Sequence, residues 1–212
     1  MRPSDHRRAR IVAAAGSLAA AGGYDAVTMR AVAAHADLST ATLYRYFPSK
    51  HHILVAALER WLEQFEIRAA REISVPDDPF DRLWSVVDAL YASLRHSPLL
   101  AEAMARAYAA ADVNAADQIE NIRTRLIEIF ASALGDDDSG HHEAVGMLLS
   151  DVWAANVLAL SHNRISATEL RRRLAVTVRL LARQDSGVRA SALATAACAS
   201  PGMPADPRPR PS

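Results

Sequence analysis

At 212 residues, half of them apolar and with a formal net charge of zero, the chain can bury one large core or two smaller ones. Its single cysteine, Cys198, excludes an intrachain disulfide and a cysteine zinc site, and no unbroken run of about 18 apolar residues suggests a membrane span. The neutral total hides an asymmetry. Residues 1–60 carry eight cations (Arg2, Arg7, Arg8, Arg10, Arg30, Arg45, Lys50, Arg60) against four acids (Asp5, Asp25, Asp37, Glu59), so the remainder is acidic by the same margin. A basic end on an acidic body suits a protein that meets a polyanion at one end, although an ordinary solvated surface could carry the same charges.

The pattern predicts a first helix over residues 5–21, with Ile11, Ala15, Leu18 and Ala19 inward and Gly22-Gly23 as its stop. Its basic start, Arg7-Arg8-Ala9-Arg10, followed by small residues, imitates a secretory signal. The stretch is mostly Ala, with only Ile11, Val12 and Leu18 strongly apolar, so it reads as a folded helix of a cytoplasmic protein. Thr28 is a good N-cap for a short helix in which Met29, Val32 and Ala33 repeat at helical spacing. That helix should stop near Ala36-Asp37, because Asp tolerates a left-handed or turn conformation. Ser39 caps the next helix, where Leu43 and Phe47 point inward. Thr40, Ala41, Thr42, Tyr44, Arg45 and Tyr46 fall on its other faces. Pro48 ends it, and Ser49 opens a long helix to about residue 73 with Lys50, the only lysine, in its first turn. Two short helices joined by a tight turn, with hydroxyls, aromatics and cations on the second, are how a protein places a helix in the major groove of double-stranded DNA. A cation at a helix N-terminus is costly unless an anion such as phosphate lies beside it.

Downstream, Ile53, Leu54, Ala57, Leu58, Trp61, Leu62 and Phe65 form apolar faces on the long helix. Asp77-Asp78-Pro79 is an N-cap with Pro at the first helical position. The helix after it carries Leu83, Val87, Leu90 and Leu94 on one stripe, with Trp84 and Tyr91 beside it. Ser97-Pro98 repeats the cap-plus-Pro device and opens a sixth helix, and a seventh carries Ile119, Ile122, Leu126, Ile129 and Phe130. Residues 135–140 form an Asp-rich loop that lacks the alternating ligands and distal Glu of a calcium site. His141-His142 have no metal-ligand spacing, so no metal and no cofactor is expected. An apolar helix to about residue 161 follows. Ser166-x-x-Glu169 then forms a capping box that opens a helix with Leu170, Leu174, Val178 and Leu181 one turn apart. Arg171-Arg172-Arg173 spans more than one face of it, solvated or against a partner. From residue 185 periodicity fails and Ala, Ser, Pro and Arg dominate, which reads as a disordered tail.

The predicted class is therefore all-α, with about nine helices. Residues 1–50 form a helix-turn-helix domain, residues 51–184 a helical ligand-binding and dimerisation domain, and residues 185–212 the tail. The last two long helices are apolar on more than one face. Ala154, Ala155 and Leu158 on one, with Leu170, Leu174 and Val178 on the other, could form half of a four-helix bundle in a homodimer. Inward positions also mix rings, a thioether and polar tips: Phe65, Trp84, Val87, Tyr91, Met104, Tyr108, Leu126, Trp153 and Asn156. Ligand pockets are lined in this manner, though plain core packing would use the same residues.

The string Thr42-Leu43-Tyr44-Arg45-Tyr46-Phe47-Pro48-Ser49-Lys50 closely resembles the DNA-binding motif of TetR-family transcriptional repressors. The segments Ser97-Pro98-Leu99-Leu100-Ala101-Glu102-Ala103-Met104-Ala105-Arg106-Ala107-Tyr108 and Leu149-Ser150-Asp151-Val152-Trp153-Ala154-Ala155-Asn156-Val157-Leu158-Ala159-Leu160, with Ser166-Ala167-Thr168, are similar to the KstR-like branch that controls cholesterol and steroid catabolism in actinobacteria. The resemblance spans residues 7–183. One departure is Asp37, where most members have Gly. The resemblance implies DNA contacts from Thr28, Arg30, Ser39, Thr40, Ala41, Thr42, Tyr44, Arg45, Tyr46 and Lys50. It also implies a two-fold dimer on a palindromic operator, with half-sites about 34 Å apart or a multiple of that, and release by a large hydrophobic effector, sterol-derived or its CoA thioester. Within the same class, the signal could instead be a drug or a fatty acyl-CoA. From other classes, an enzyme would need a nucleophile elbow, phosphate loop or carboxylate pair, and only Asp151 offers itself as a buried acid. A passive architectural DNA binder would not need so large a second domain.

Overall fold

A computed structural model describes residues 3–72, 76–111, 115–135 and 140–198, and every regular element within them is an α-helix. These are α1 (Pro3–Ala26), α2 (Met29–His35), α3 (Thr40–Tyr46), α4 (Lys50–Glu72), α5 (Pro79–His96), α6 (Pro98–Ala109), α7 (Ala116–Leu134), α8 (His141–Ser161) and α9 (Ala167–Cys198). Helices α1 to α3, with the start of α4, enclose a small core in which Ile11, Val32, Leu43 and Ile53 are fully buried. The expected stop of α1 is present as a kink: Gly23 adopts φ 70°, the left-handed region that favours a residue without Cβ. Helix α1 then packs on α4 and on α6, so the small domain rests on the larger one.

Helix α4 leaves the small domain and becomes a wall of the larger one, against α6 and α7. The α4–α7 contact is tightened by Arg125, which donates to Glu66 at 3.0 Å and Glu63 at 3.4 Å. Asp78 caps α5 as predicted, its carboxylate accepting from the N–H of Phe80 at 2.8 Å and of Asp81 at 3.0 Å. Arg82 reaches across to the C-terminal carbonyls of α7, donating to Ala133 at 3.0 Å and Leu134 at 2.9 Å, groups that the helix itself leaves unpaired. Helices α7 and α8 approach closely at Gly146, where a Cβ would meet the Ile127 carbonyl oxygen at 2.7 Å. Phe130 and Trp153 pack beside that contact with ring centroids 6.2 Å apart.

Four expectations change. Ser97 precedes Pro98 as expected, but its side chain makes no cap hydrogen bond because its backbone sits at φ −135°, ψ 69°. The capping box of α9 is half made: Ser166 Oγ accepts from the Glu169 N–H at 3.1 Å, while the Glu169 carboxylate turns outward to Arg172 and Arg173. Those hydrogen bonds, Arg172's first, hold its carboxyl at about 2. Helix α9 runs on through Ala-rich sequence to Cys198, past residue 185 where a disordered tail was expected. Alanine's helix propensity carries it where apolar periodicity does not, and residues 199–212 lie outside the described residues, as do 136–139 of the Asp-rich loop. Finally, α8 is long and apolar enough, by length and composition, to cross a membrane, although no unbroken apolar run marks it. Here it packs on α6, α7 and α9, with Val145, Leu149 and Trp153 buried and Met147 and Leu148 exposed on the other side.

Candidate nucleic-acid interface and effector cavity

The recognition unit is built by its caps. Thr28 Oγ1 accepts from the Ala31 N–H at 3.1 Å, which starts α2. Its end is a Schellman arrangement: Leu38 N–H donates to the Ala33 carbonyl at 2.9 Å and Asp37 N–H to that of Ala34 at 3.2 Å. Asp37 takes the left-handed position at φ 52°, so the turn keeps its geometry without the family's Gly. Arg10 braces it, hydrogen-bonded to the Ala36 carbonyl and 3.8 Å from the Asp37 carboxylate. Ser39 Oγ then accepts from the Thr42 N–H at 3.1 Å and starts α3.

Helix α3 is anchored by Leu43 at 0% exposure and Phe47 at 2%, with the Arg8 guanidinium over the Phe47 ring at 5.1 Å. What remains outward is the predicted set. Thr28, Arg30, Ser39, Thr40, Ala41, Tyr44 and Arg45 are exposed, and Thr42, Tyr46 and Lys50 are half-buried. Tyr44, an aromatic with 53% exposure, has no role in the core. The Thr42 hydroxyl lies 2.9 Å from Ser39 Oγ, so of the two threonines Thr40 is the more open. The Lys50 ammonium donates to the Tyr24 carbonyl at 3.4 Å and sits 3.7 Å from the centroid of the Tyr24 ring.

In the larger domain a cavity of about 200 Å³ opens between α4, α6, α7 and α8. Of the predicted ligand residues, Met104, Tyr108, Leu126 and Trp153 line it. The sequence reading missed Leu58, Trp61 and Leu62 on α4 and Ala101 and Ala105 on α6. No polarity contrast marks those residues, and only the packing of α6 on α4 turns them to one space. Tyr108 is the main polar group in it, and burial pushes its phenol upward, so it stays a neutral donor. Sharing Leu94, Ala101 and Val157 with this cavity is a second cleft of about 410 Å³, where Tyr91, Arg95, Glu102, Ser161 and Asn163 supply polar groups. The pair forms an apolar chamber with an annex that is itself mostly apolar and carries these polar groups.

Four predicted ligand residues lie elsewhere. Phe65 is 2% exposed and stacks on Trp61 within the core. Val87 is fully buried. Trp84 faces the outer groove between α5 and α9, with the Arg171 guanidinium 5.4 Å from its ring. Asn156 donates to the Val152 carbonyl at 2.8 Å, one turn back on its own helix, and accepts from Arg173 at 3.4 Å.

The dimer set divides in the same way. Leu170, Leu174 and Val178 are buried at 0%, 0% and 4% inside the protomer, so their stripe closes its own core and cannot meet a partner. Ala154, Ala155 and Leu158 line the apolar cavity. The outward apolar residues of these helices are Met147 and Leu148 on α8 and Val176 and Leu180 on α9. On α9 Val176 and Leu180 stand two residues from the predicted stripe, on the opposite face, whereas on α8 Met147 and Leu148 lie one heptad before Ala154 and Ala155, on the same side of the helix. Asp151 is on the surface, 3.6 Å from Arg123, and is not a buried acid. The arginine triplet is also engaged: Arg171 forks onto Asp88 at 2.6 and 3.0 Å, and Arg172 and Arg173 hold Glu169.

Residues 11–57 match the family of bacterial regulatory proteins of tetR type, and residues 76–181 match the tetracyclin repressor-like C-terminal domain. The HTH-type transcriptional repressor KstR of Mycolicibacterium smegmatis is 42% identical over 176 residues, which is 82% of this chain and 86% of the relative. Among solved structures, a TetR transcriptional regulator from Rhodococcus sp. RHA1 superposes with a TM-score of 0.76 at 24% identity, covering 85% of this chain and 97% of that one. The FadR repressor of Thermus thermophilus, crystallised with lauroyl-CoA, superposes at 0.65 with 22% identity, covering 82% and 92%. With the capped helix-turn-helix at one end and the helical domain at the other, the chain belongs to the TetR family of transcriptional regulators, as a KstR-like member.

Proposed function

We propose that the protein is a homodimeric transcriptional repressor, not an enzyme, that holds a palindromic operator in lipid or steroid catabolism genes and leaves it when an amphiphilic lipid binds. The observation that carries this reading is the continuity of α4. Its first residue, Lys50, stands at the DNA-facing end, and Leu58, Trp61 and Leu62 of the same helix form a wall of the apolar cavity. A ligand that enlarges the cavity must displace that wall and with it the seat of the recognition helix.

The chamber and its annex favour a ligand with a rigid or extended hydrocarbon body and a polar, anionic end. The body would lie against Met104, Leu126 and Trp153, and the end near Arg95 and Asn163. Acyl-CoA esters have this character, and among them sterol-derived esters suit the kinship with KstR repressors. The dimer would form on Met147, Leu148, Val176 and Leu180, apolar groups that a solvated surface has no need of. Such a regulator works in the cytoplasm, with DNA, a second copy and the effector as its partners and no membrane.

The test has two stages. A duplex is first selected from a random pool on the full-length protein, which gives the operator consensus, expected to be palindromic. Binding to it is then followed by fluorescence anisotropy with a sterol-derived acyl-CoA, lauroyl-CoA and a free sterol. The reading expects the first to release DNA at the lowest concentration. Release by lauroyl-CoA alone would make the protein a fatty acyl-CoA sensor, and no response to any of the three would remove the lipid-sensor reading.

A further inference from the structure

We propose that Tyr24 is the positioning residue for the contact of Lys50 with DNA phosphate, and that Arg106 ties this contact to the effector domain through the same ring. The inference rests on the reading of Lys50 as a phosphate contact. Three elements meet at Tyr24. It follows the Gly23 kink at the end of α1, its ring stacks on His51 of α4 with centroids 5.9 Å apart and planes 15° apart, and its hydroxyl is hydrogen-bonded to His51 Nε2. Lys50 Nζ lies 3.7 Å from the ring centroid and the Arg106 guanidinium carbon of α6 lies 4.0 Å from it. Arg106 is further held by Glu102 at 3.6 Å and Asp25 at 4.0 Å.

Two cations on one ring is an arrangement that packing alone does not require. A Lys side chain has a flexible four-carbon stem and a point charge, so in solution it samples many positions. The ring face and the Tyr24 carbonyl fix it in one. An ammonium has three donors, and the carbonyl takes one, so Lys50 can donate to a phosphate oxygen without leaving its seat. On the other side, Arg106 shares α6 with Met104, Ala105 and Tyr108, which line the cavity. A shift of α6 therefore moves Arg106 against Tyr24 and changes the seat of Lys50. Like charge makes the coupling sensitive, because the two cations repel and the ring, the Tyr24 carbonyl, Asp25 and Glu102 offset that repulsion.

The experiment is a double-mutant cycle on the full-length protein with the selected duplex, without effector. Tyr24→Leu should weaken binding about fivefold when Lys50 is present, the size of one cation–π contact, and less than twofold in a Lys50→Ala background. Tyr24→Phe, which keeps ring and carbonyl, should bind as the parent does. Arg106→Gln, at a side chain 39% exposed on a helix outside the recognition unit, should change binding by about twofold to threefold, and that change should vanish in the Lys50→Ala protein. Equal changes in both backgrounds would mean that Tyr24 and Arg106 act on the fold alone, and the proposal would be wrong. If Tyr24→Leu does not fold, the Arg106→Gln cycle decides by itself. A Lys50→Ala protein with unchanged affinity and salt dependence would instead overturn the phosphate reading on which the inference stands.

Discussion

Ala105 offers the sharpest test of the cavity. It sits on α6 at 8% exposure and lines the space of about 200 Å³ together with Met104 and Tyr108. A space of that volume inside a closed apolar core would lower stability by about 5 kcal/mol, at about 24 cal/mol per Å³. Side chains that close it should therefore stabilise the free protein. Ala105→Leu adds three carbons, worth about 2 kcal/mol at about 0.8 kcal/mol for each buried carbon. At about 2–4 °C per kcal/mol for a chain of this size, the thermal midpoint should rise by about 4–8 °C. The same substitution should abolish the response to ligand. An effector at a hundred times its Kd stabilises the parent by about 2.7 kcal/mol, a rise of similar size that the variant should no longer show. The assay is differential scanning fluorimetry with and without a sterol-derived acyl-CoA, with operator binding as a control for the fold. A fall in the midpoint of the free variant would show that the site is already filled by its own side chains, since overpacking costs about 1–3 kcal/mol. A ligand-induced rise that survives the substitution would place the ligand elsewhere.

Thr40→Val keeps the shape of an exposed recognition-helix residue and removes its hydroxyl. It should lose about 1–3 kcal/mol on the selected duplex and much less on a scrambled one, read by competition binding. Leu148→Glu combined with Leu180→Glu places charge on the outward apolar faces of α8 and α9, and sedimentation should then find a monomer with weakened operator binding. A dimer that persists would put the interface on another surface. The Glu169 carboxyl is held at about 2 by Arg172 and Arg173. Its folded value lies below the unfolded one, so its contribution to stability is present above the ordinary carboxylate range and is lost progressively as pH falls from there through about 2. Titration of Glu169 by NMR should therefore show no midpoint near 4.

The recognition unit was the most legible part of the sequence because its information is local. Thr28, Asp37 and Ser39 act through their own backbone neighbours, and each performs the predicted role within three or four residues of itself. The cavity was half legible. Met104, Tyr108 and Trp153 stand out by chemistry, but Ala101 and Ala105 take part through being small, and smallness on an inward face is also how helices pack closely. Trp84 misled because a ring beside an apolar stripe can turn either way. Here the guanidinium of Arg171, held by Asp88, covers it from outside. The stripe predicted on α9 for a partner faces the protomer's own core. On α9 both Leu174 and Val176 are apolar, and only the position of α5 and α8 decides which of them faces inward. Periodicity gives the angle of a stripe around its helix, and the neighbouring helices give its direction.

The geometry of α4 sets how small a movement could act as a switch. About 16 Å of helix separate Lys50 from Trp61, at about 1.5 Å per residue. Arg125 ties this helix to α7 through Glu63 and Glu66, and Arg60, next to Trp61, donates to the Ala9 carbonyl of α1 at 3.4 Å, so both polar ties lie near the cavity. A tilt set at these ties is carried along the helix to its Lys50 end. A tilt of about 5° at the cavity end displaces Lys50 by about 1.4 Å over that length, whereas a binding constellation tolerates about 0.5 Å. In a two-fold dimer both recognition helices shift together, so the mismatch against a fixed half-site spacing accumulates over the pair. A ligand then needs only about 1–3 kcal/mol of preference for the tilted state to change operator affinity by about 5- to 150-fold. That preference can come from the cavity alone, because Leu58, Trp61 and Leu62 sit on its wall, and a ligand that fits both tilts equally well would release nothing however tightly it bound.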